Sequence, residues 1–301
     1  MILTKLKKTV AALILAVTFI AAAAPTDYLS GKSMGYIYVN LTELIKCPYL
    51  QSFIPMFEEE LKKEGLSVQD FEGTAALGAN CNNIAEMDLN LDLAVELKRP
   101  VAKKFFNFLS KEMKDAKKVT LYGRPALQDP NGEGQIILFS DYVIAAQFKT
   151  SKNGSYSALK TGKNILAENP QLFKHHAFVL FNNSGEFKKM MAEFIKMAPG
   201  TVSEKDLAVF KSGYLAVDCY KNGDLRFEVK TVCTSHAAAV EMQKNSKKQM
   251  DELSKQFPAE YIALLKRMDT KIVGNSIIQT MVVTKAEMEA LIKSFISGIE
   301  H

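Results

Sequence analysis

The sequence contains no tryptophan and only four cysteines, four histidines and nine prolines in 301 residues. The lack of tryptophan argues against a carbohydrate-binding module, because such modules usually present aromatic platforms. No Cys-x-x-Cys pair occurs, which excludes the usual signatures of thiol oxidoreductases and zinc knuckles. Cysteines at 47, 81, 219 and 233 are too sparse for a disulfide framework, although an exported chain could form up to two bridges from them.

The charged residues are nearly balanced, with 38 lysines and arginines against 33 aspartates and glutamates. No segment concentrates the positive charge, which argues against the basic face that nucleic-acid binding requires. The apolar content of 48% is normal for a globular protein and argues against disorder. The sequence therefore predicts a folded protein whose partners do not include nucleic acid.

The N-terminus has the pattern of a signal peptide over residues 1–23. Three lysines precede an apolar stretch from Thr9 to Ile20, and small residues lead to a cleavage site that we place after Ala23. The apolar stretch is shorter than the roughly 20 residues that cross a bilayer. We expect an exported protein, periplasmic or extracellular, with no transmembrane helix after cleavage and a mature net charge of about +2.

The remaining sequence is interpreted as a tandem duplication. Strand patterns at 36–40 and 178–182 each end in asparagine and precede a helical pattern, and the spacing of Asn40 and Glu43 is typical of a helix N-cap. The segments ALGANC and YLAVDC follow, and they end at Cys81 and Cys219. Five such pairs in one order favour a repeat over chance.

The later pairs complete this series. Alternating strands at 89–95 and 225–230 precede amphipathic helices, whose apolar faces begin at Val101 and Val240. Glycine turns in similar segments, LYGRPALQ and IVGNSIIQ, then follow. The repeat explains architecture and assigns no activity.

We therefore predict an α+β fold of two duplicated units, residues 24–170 and 171–301. Each is expected to be a mainly antiparallel sheet with helices packed on one face. A further hairpin is expected in the first unit at 135–148. The boundary is placed at Asn169-Pro170, because a residue before proline is disfavoured in helix.

The opening GYIYVNLTELIKCPYLQSFIP, after a leader, resembles exported bacterial proteins that are built from tandem α+β units. Those families have no assigned activity. The resemblance therefore implies a fold and carries over no functional residue.

Two serine motifs resemble those of nucleophilic enzymes. Ser33 lies in a G-x-S-x-G match, but a leader precedes it and a strand follows, whereas a nucleophile elbow requires a strand and then a helix. We interpret this segment as a flexible lead-in. Ser157 and Lys160 match S-x-x-K, and the same lysine opens K-T-G. One lysine cannot form two walls of a pocket, so an exposed helical face is favoured.

The remaining polar residues give no metal or acid–base pattern. His175 and His176 are adjacent and lack nearby ligands, so a solvated linker is expected. Asp92 is expected on the charged face of a half-buried strand. The sequence thus predicts no catalytic, cofactor-binding or metal-binding residue. We favour a non-catalytic binding or scaffolding protein of the bacterial envelope; the alternative is a secreted or periplasmic hydrolase whose site assembles from dispersed residues.

The 221–223 segment predicts a hairpin turn through its Asn-Gly pair. A two-residue turn would set apolar residues against charged ones. A three-residue turn with Gly223 left-handed pairs Cys219 with Leu225 and gathers one apolar face. We predict this second register, with Cys219 facing the core and no Cys219–Cys233 disulfide.

Overall fold

The computed structural model describes residues 28–29, 33–51, 54–63, 65–83, 88–149, 156, 169–183, 185, 187–189, 191–192, 204–253 and 259–291. The predicted signal peptide, Ser157 and Lys160 lie outside these residues. The chain divides between Ala177 and Phe178 into two compact units. Within the described ranges, no helix is both long and apolar enough to cross a membrane.

The first unit is built on an antiparallel sheet of seven strands in the order β1-β2-β3-β7-β6-β5-β4. Their bounds are β1 Gly35–Asn40, β2 Gly73–Asn83, β3 Asp88–Leu97, β4 Lys117–Leu121, β5 Arg124–Gln128, β6 Gly134–Leu138 and β7 Val143–Lys149. The β6–β7 hairpin confirms the extra hairpin that was expected in this unit. It lies between β3 and β5, although it follows both in the chain.

Helices of the first unit pack on one apolar face of this sheet. They are α1 Leu41–Leu44, α2 Pro48–Gln51, α3 Ile54–Lys63 and α4 Ala102–Glu112, with 3-10 turns at Val68–Phe71 and Pro170–Lys174. Asn40 caps α1 by accepting a hydrogen bond from the Glu43 N–H at 3.2 Å, as its sequence spacing predicts. Phe105 of α4 meets Phe71 edge to face at 5.4 Å and packs in a core that also contains Leu93.

The second unit has an antiparallel sheet in the order β8-β9-β10-β12-β11. Its strands are β8 Ala177–Asn182, β9 Phe210–Cys219, β10 Leu225–Cys233, β11 Asp269–Val273 and β12 Ser276–Val283, and its helices include α5 Glu204–Val209, α6 His236–Leu253 and α7 Ala259–Lys266. Residues 285–291 are helical. Glu287 and Thr284 form the reciprocal cap of this helix. The pKa of Glu287 is lowered to about 2, mainly by a hydrogen bond from Arg267 and additionally by hydrogen bonds from Thr284.

The β9–β10 hairpin has the predicted three-residue register. Cys219 pairs with Leu225 and Val217 with Phe227. Gly223 has φ +90°, and its N–H donates to the Tyr220 carbonyl at 2.9 Å. A left-handed glycine is what this turn requires. Cys219 is buried, which also confirms that it faces the core.

The mixed helix and strand composition and the antiparallel sheets confirm the coarse α+β expectation. Two finer expectations are wrong. Val240 of α6 is 45% exposed, while its neighbour Ala239 is fully buried, so the apolar face of α6 is rotated by about one residue from the predicted one. The centre of β3 is buried on both faces, because Asp92 and Ala94 are as inaccessible as Leu93 and Val95.

The cysteines also agree with the prediction that Cys219 and Cys233 are not bridged. Cys233 is a free and fully buried thiol, whereas Cys47 and Cys219 each take part in a disulfide. The Cys233 Sγ lies 3.8 Å from the Met242 Sδ. Burial raises the pKa of Cys233, so the thiol is both neutral and shielded.

We expect iodoacetamide to leave Cys233 unmodified in the native protein and to modify it once the chain is unfolded in guanidinium chloride without reductant. Cys47 and Cys219 serve as internal controls, since they should require reduction even after unfolding. Peptide mass spectrometry locates the adducts. Alkylation of Cys233 in the native state, or a disulfide at Cys233, would contradict this assignment.

Candidate functional site

A row of polar residues crosses the sheet of the first unit at its centre. Tyr36 of β1 pairs with Gly78 of β2, which pairs with Asp92 of β3. Asp92 pairs with Gln147 of β7, and Gln147 with Gln135 of β6. Directly paired residues of an antiparallel sheet face the same side. We call Tyr36, Asp92, Gln147 and Gln135 the polar row.

Side-chain hydrogen bonds connect the row. The Gln135 Nε2 donates to the Gln147 Oε1 at 2.8 Å, and the Gln147 Nε2 donates to the Asp92 Oδ1 at 2.8 Å. Asp92, Gln147 and Gln135 are 2%, 1% and 4% exposed. Both amides therefore point their N–H groups towards the carboxylate, and each bond polarises the next. This arrangement supplies the buried Asp92 carboxyl group with a hydrogen-bond donor.

The other end of the row is closed by Ser33. Burial raises the pKa of the Tyr36 hydroxyl. Hydrogen bonds with the side chain and the main chain of Ser33 oppose this rise, and the electrostatic effect of Asp92 adds to it. The Tyr36 hydroxyl is therefore protonated at neutral pH. Gly78 lies beneath Ser33, and a Cβ at position 78 would be 2.5 Å from the Ser33 Oγ. Glycine is required here by close approach.

Three sequence-based interpretations are wrong at this point. Ser33 is 3% exposed and packed over β2, so it is no flexible lead-in. Asp92 lies in the interior instead of on a solvated charged face. His175 is 2% exposed, and its N–H closes a turn with the Leu172 carbonyl at 3.0 Å, so it does not belong to a solvated linker.

The burial of Ser33 leads to a testable consequence for the hydrolase alternative. A fluorophosphonate probe should leave Ser33 unlabelled, because its hydroxyl is inaccessible in the folded protein. Ser157 should also remain unlabelled, on the sequence argument alone. Labelling is measured by mass spectrometry, with a serine hydrolase as the positive control. Stoichiometric labelling of either serine would instead support the hydrolase.

The accessible surface of the first unit carries an aromatic group that the sequence reasoning missed. Tyr122 is 55% exposed and stacks on Phe139, with ring centroids 6.3 Å apart and planes 30° apart. Phe139 also contacts Tyr28, at 4.8 Å between centroids. We call Tyr28, Tyr122 and Phe139 the aromatic surface. One sequence feature could have revealed this group. Tyr122 precedes Gly123 at a position where a tight hairpin turn usually has Asn or Asp.

Tyr122 occupies an unfavourable backbone conformation. It has φ +52°, and it is the one non-glycine residue with positive φ among the residues that the structure describes. Tyr122 and Gly123 form the two-residue turn between Leu121 and Arg124, which pair with each other. A left-handed conformation costs a residue with a Cβ roughly 1–2 kcal/mol.

The second unit presents a charged group on one face of its sheet. Arg226 contacts Glu228 at 2.5 Å and Asp218 at 3.6 Å, and the Tyr214 hydroxyl donates to Glu228 at 2.7 Å. Burial is the main cause of a raised pKa of the Tyr214 hydroxyl, and its hydrogen bond to Glu228 raises this pKa further. These partners satisfy one another, so the group joins β9 to β10. No set of three His, Cys, Asp or Glu residues with metal-binding proximity occurs among the residues placed by the structure.

No protein-family model matches this chain, and no curated protein is similar to it in sequence. Among solved structures, crystal forms I and III of TP0453 are similar over 92% of this chain, and over 96% and 97% of theirs. Their sequence identities to this chain are 8% and 10%, and the TM-score is 0.46 for both. They are distant structural neighbours, and no function is inferred from them.

Proposed function

We propose that this protein is an exported, non-catalytic binding or scaffolding protein of the bacterial envelope, and that the aromatic surface contacts its partner. Export rests on the signal-peptide pattern of residues 1–23. The observation that carries the binding role is the exposed Tyr122 in a left-handed turn. Strained residues of this kind cluster at functional sites.

The energetic argument compares Tyr122 with asparagine. Asparagine tolerates the left-handed conformation, and Asn-Gly is the favoured pair for this turn. The stacking of Tyr122 on Phe139, at 6.3 Å between ring centroids, offsets the strain by about 0.5–1.5 kcal/mol. Over half of the Tyr122 surface remains in water. Folding therefore gains little from tyrosine at this position, whereas a partner gains a large amphipathic side chain that is already oriented.

We also propose that the two units arose by duplication. Each contains a three-strand meander, β1-β2-β3 or β8-β9-β10, followed by helix (α4 in the first unit, α6 and α7 in the second) and a two-strand hairpin. Cys81 pairs with Leu89, and Cys219 pairs with Leu225, at matching places in the two meanders. In this proposal the β6–β7 hairpin is an insertion that separates β3 from β5. An experimental structure in which 35–128 and 177–279 cannot be superposed strand for strand would contradict it.

The binding proposal is tested with Tyr122→Asn. The tagged mature protein is incubated with envelope extract, and the captured components are compared between wild type and variant. We expect the variant to lose the specific partner and to keep or raise its free energy of unfolding, by up to about 1 kcal/mol. Loss of binding with gain of stability distinguishes a contact residue from a structural one.

Tyr220→Asn is the matched control, because Tyr220 is 45% exposed and also flanks a hairpin turn. It should capture the same partner as wild type. Equal capture by Tyr122→Asn and wild type would exclude the aromatic surface. Turnover of a substrate by the mature protein would contradict the non-catalytic role.

A further inference from the structure

Strand β4 has one side without a partner in the described chain. It pairs with β5 and ends the strand order of its unit. In a two-residue hairpin the closing pair exchanges both main-chain hydrogen bonds, and bonded pairs then alternate along the strands. Since Leu121 and Arg124 close this hairpin, the main-chain groups of Lys118 and Thr120 point away from β5.

The two faces of β4 differ in chemistry. Val119 and Leu121 are partly buried against the small cluster of Ala126, Ile137 and Ala145. Lys118 and Thr120, on the opposite face, are exposed. Val119 and Leu121 therefore keep part of their apolar surface exposed. An additional strand beside β4 would cover that surface with every second one of its side chains.

The edge is also positively charged. Lys117, Lys118 and Arg124 are all exposed. None of these three cations forms an ion pair with another residue that the structure places. Charge of one sign around an open strand edge disfavours pairing with an identical edge and favours an acidic partner.

We propose that β4 is a docking edge for an extended segment of a partner protein in which apolar and acidic residues alternate. The segment adds as a strand beside β4, with its main chain bonded to Lys118 and Thr120. Its apolar side chains cover Val119 and Leu121, and its acidic side chains face Lys118. This inference rests on the proposed binding function and names the partner's chemistry; Tyr122, which directly follows β4, lies at the end of the docking edge.

A second copy of this chain does not satisfy these requirements through its own β4. In a parallel pairing of two β4 strands, lysine would lie opposite lysine, which is destabilising, and in an antiparallel pairing Lys118 would lie opposite Thr120; in neither does β4, KKVTL, supply an acidic residue to the lysines. The occupant that the charges select is therefore a different chain.

The test uses the full-length mature protein and a short synthetic peptide of alternating valine and glutamate, blocked at both ends. Affinity is measured by fluorescence anisotropy, and amide hydrogen exchange locates the site. We expect binding that slows exchange of the Lys118 and Thr120 amides. The same peptide with lysine in place of glutamate should bind at least about tenfold more weakly, and N-methylation of alternate amides should abolish binding.

Lys118→Glu should weaken binding of the glutamate peptide by about tenfold or more. Lys271→Glu is the matched control, because Lys271 is an exposed lysine on β11, the edge strand of the second unit, and it should leave affinity unchanged. No binding, equal affinity for both peptides, or protection away from β4 would overturn the proposal. Equal capture by Tyr122→Asn and wild type in the envelope experiment would instead contradict the proposed function, so the two failures are distinguishable.

Discussion

Gln147→Leu should lower the free energy of unfolding by about 3 kcal/mol, because it breaks the polar row at its centre. The substitution removes the donor to the Asp92 Oδ1 and the acceptor of the Gln135 Nε2. Each buried polar group left without its partner costs about 1–3 kcal/mol, and more where the group is charged. The apolar gain from leucine offsets only part of this loss.

Chemical denaturation monitored by circular dichroism measures this effect. Gln171→Leu is the control, since Gln171 is an exposed glutamine in the same unit, and it should change the free energy of unfolding by less than about 0.5 kcal/mol. The double variant Asp92→Leu/Gln147→Leu should recover part of the loss, because no buried carboxyl group is then left without its donor. A Gln147→Leu protein as stable as wild type would show that the row is not sealed from water.

Gly78→Ala should destabilise the protein by about 1–3 kcal/mol through overpacking. A Cβ at this position would be 2.5 Å from the Ser33 Oγ and 3.3 Å from the Ser33 Cβ. The first distance is impossible without movement, so the Ser33 hydroxyl must rotate away or Ser33 must shift from its place above β2. Its hydrogen bond with Tyr36 would then be lost.

A double-mutant cycle with Ser33→Ala isolates this clash. Removing the Oγ eliminates the shorter contact, so Gly78→Ala should cost less in the Ser33→Ala background than in wild type. Gly132→Ala is unsuitable as a control, because Gly132 has φ +70°; Gly185→Ala is suitable, because nothing lies within 4 Å of its added Cβ. Equal costs of Gly78→Ala in the two backgrounds would place the source of strain elsewhere.

Local chemistry determined what the sequence predicted correctly. The β9–β10 register follows from Gly223, which tolerates positive φ, and from an alternation that buries charge in the competing register. The β6–β7 hairpin and the α1 cap at Asn40 likewise depend on neighbours in the chain. Such features need no knowledge of which distant segments meet.

The errors concern residues whose environment is set by distant segments. Asp92 alternates with leucines along β3, a pattern that a half-solvated strand also has. It is buried because Gln147, far along the chain, supplies its hydrogen bond. Ser33 is buried because Gly78 leaves room for it. Periodicity does not reveal either partner, because it reports only on neighbours in the chain. Gln147 is especially remote, since the β4–β5 hairpin lies between β3 and β7 in the sequence.

The insertion of β6–β7 between β3 and β5 also constrains the order of folding. The β4–β5 hairpin joins its sheet only through β6, so it has no stable attachment until β7 has found β3. That encounter closes a long loop, which makes it slow relative to forming either hairpin locally. The β4–β5 hairpin should therefore be fixed late in folding and released early in unfolding. Hydrogen exchange of its amides should therefore give a free energy of local opening well below the free energy of global unfolding. The proposed docking edge then lies on a part of the first unit that opens without global unfolding.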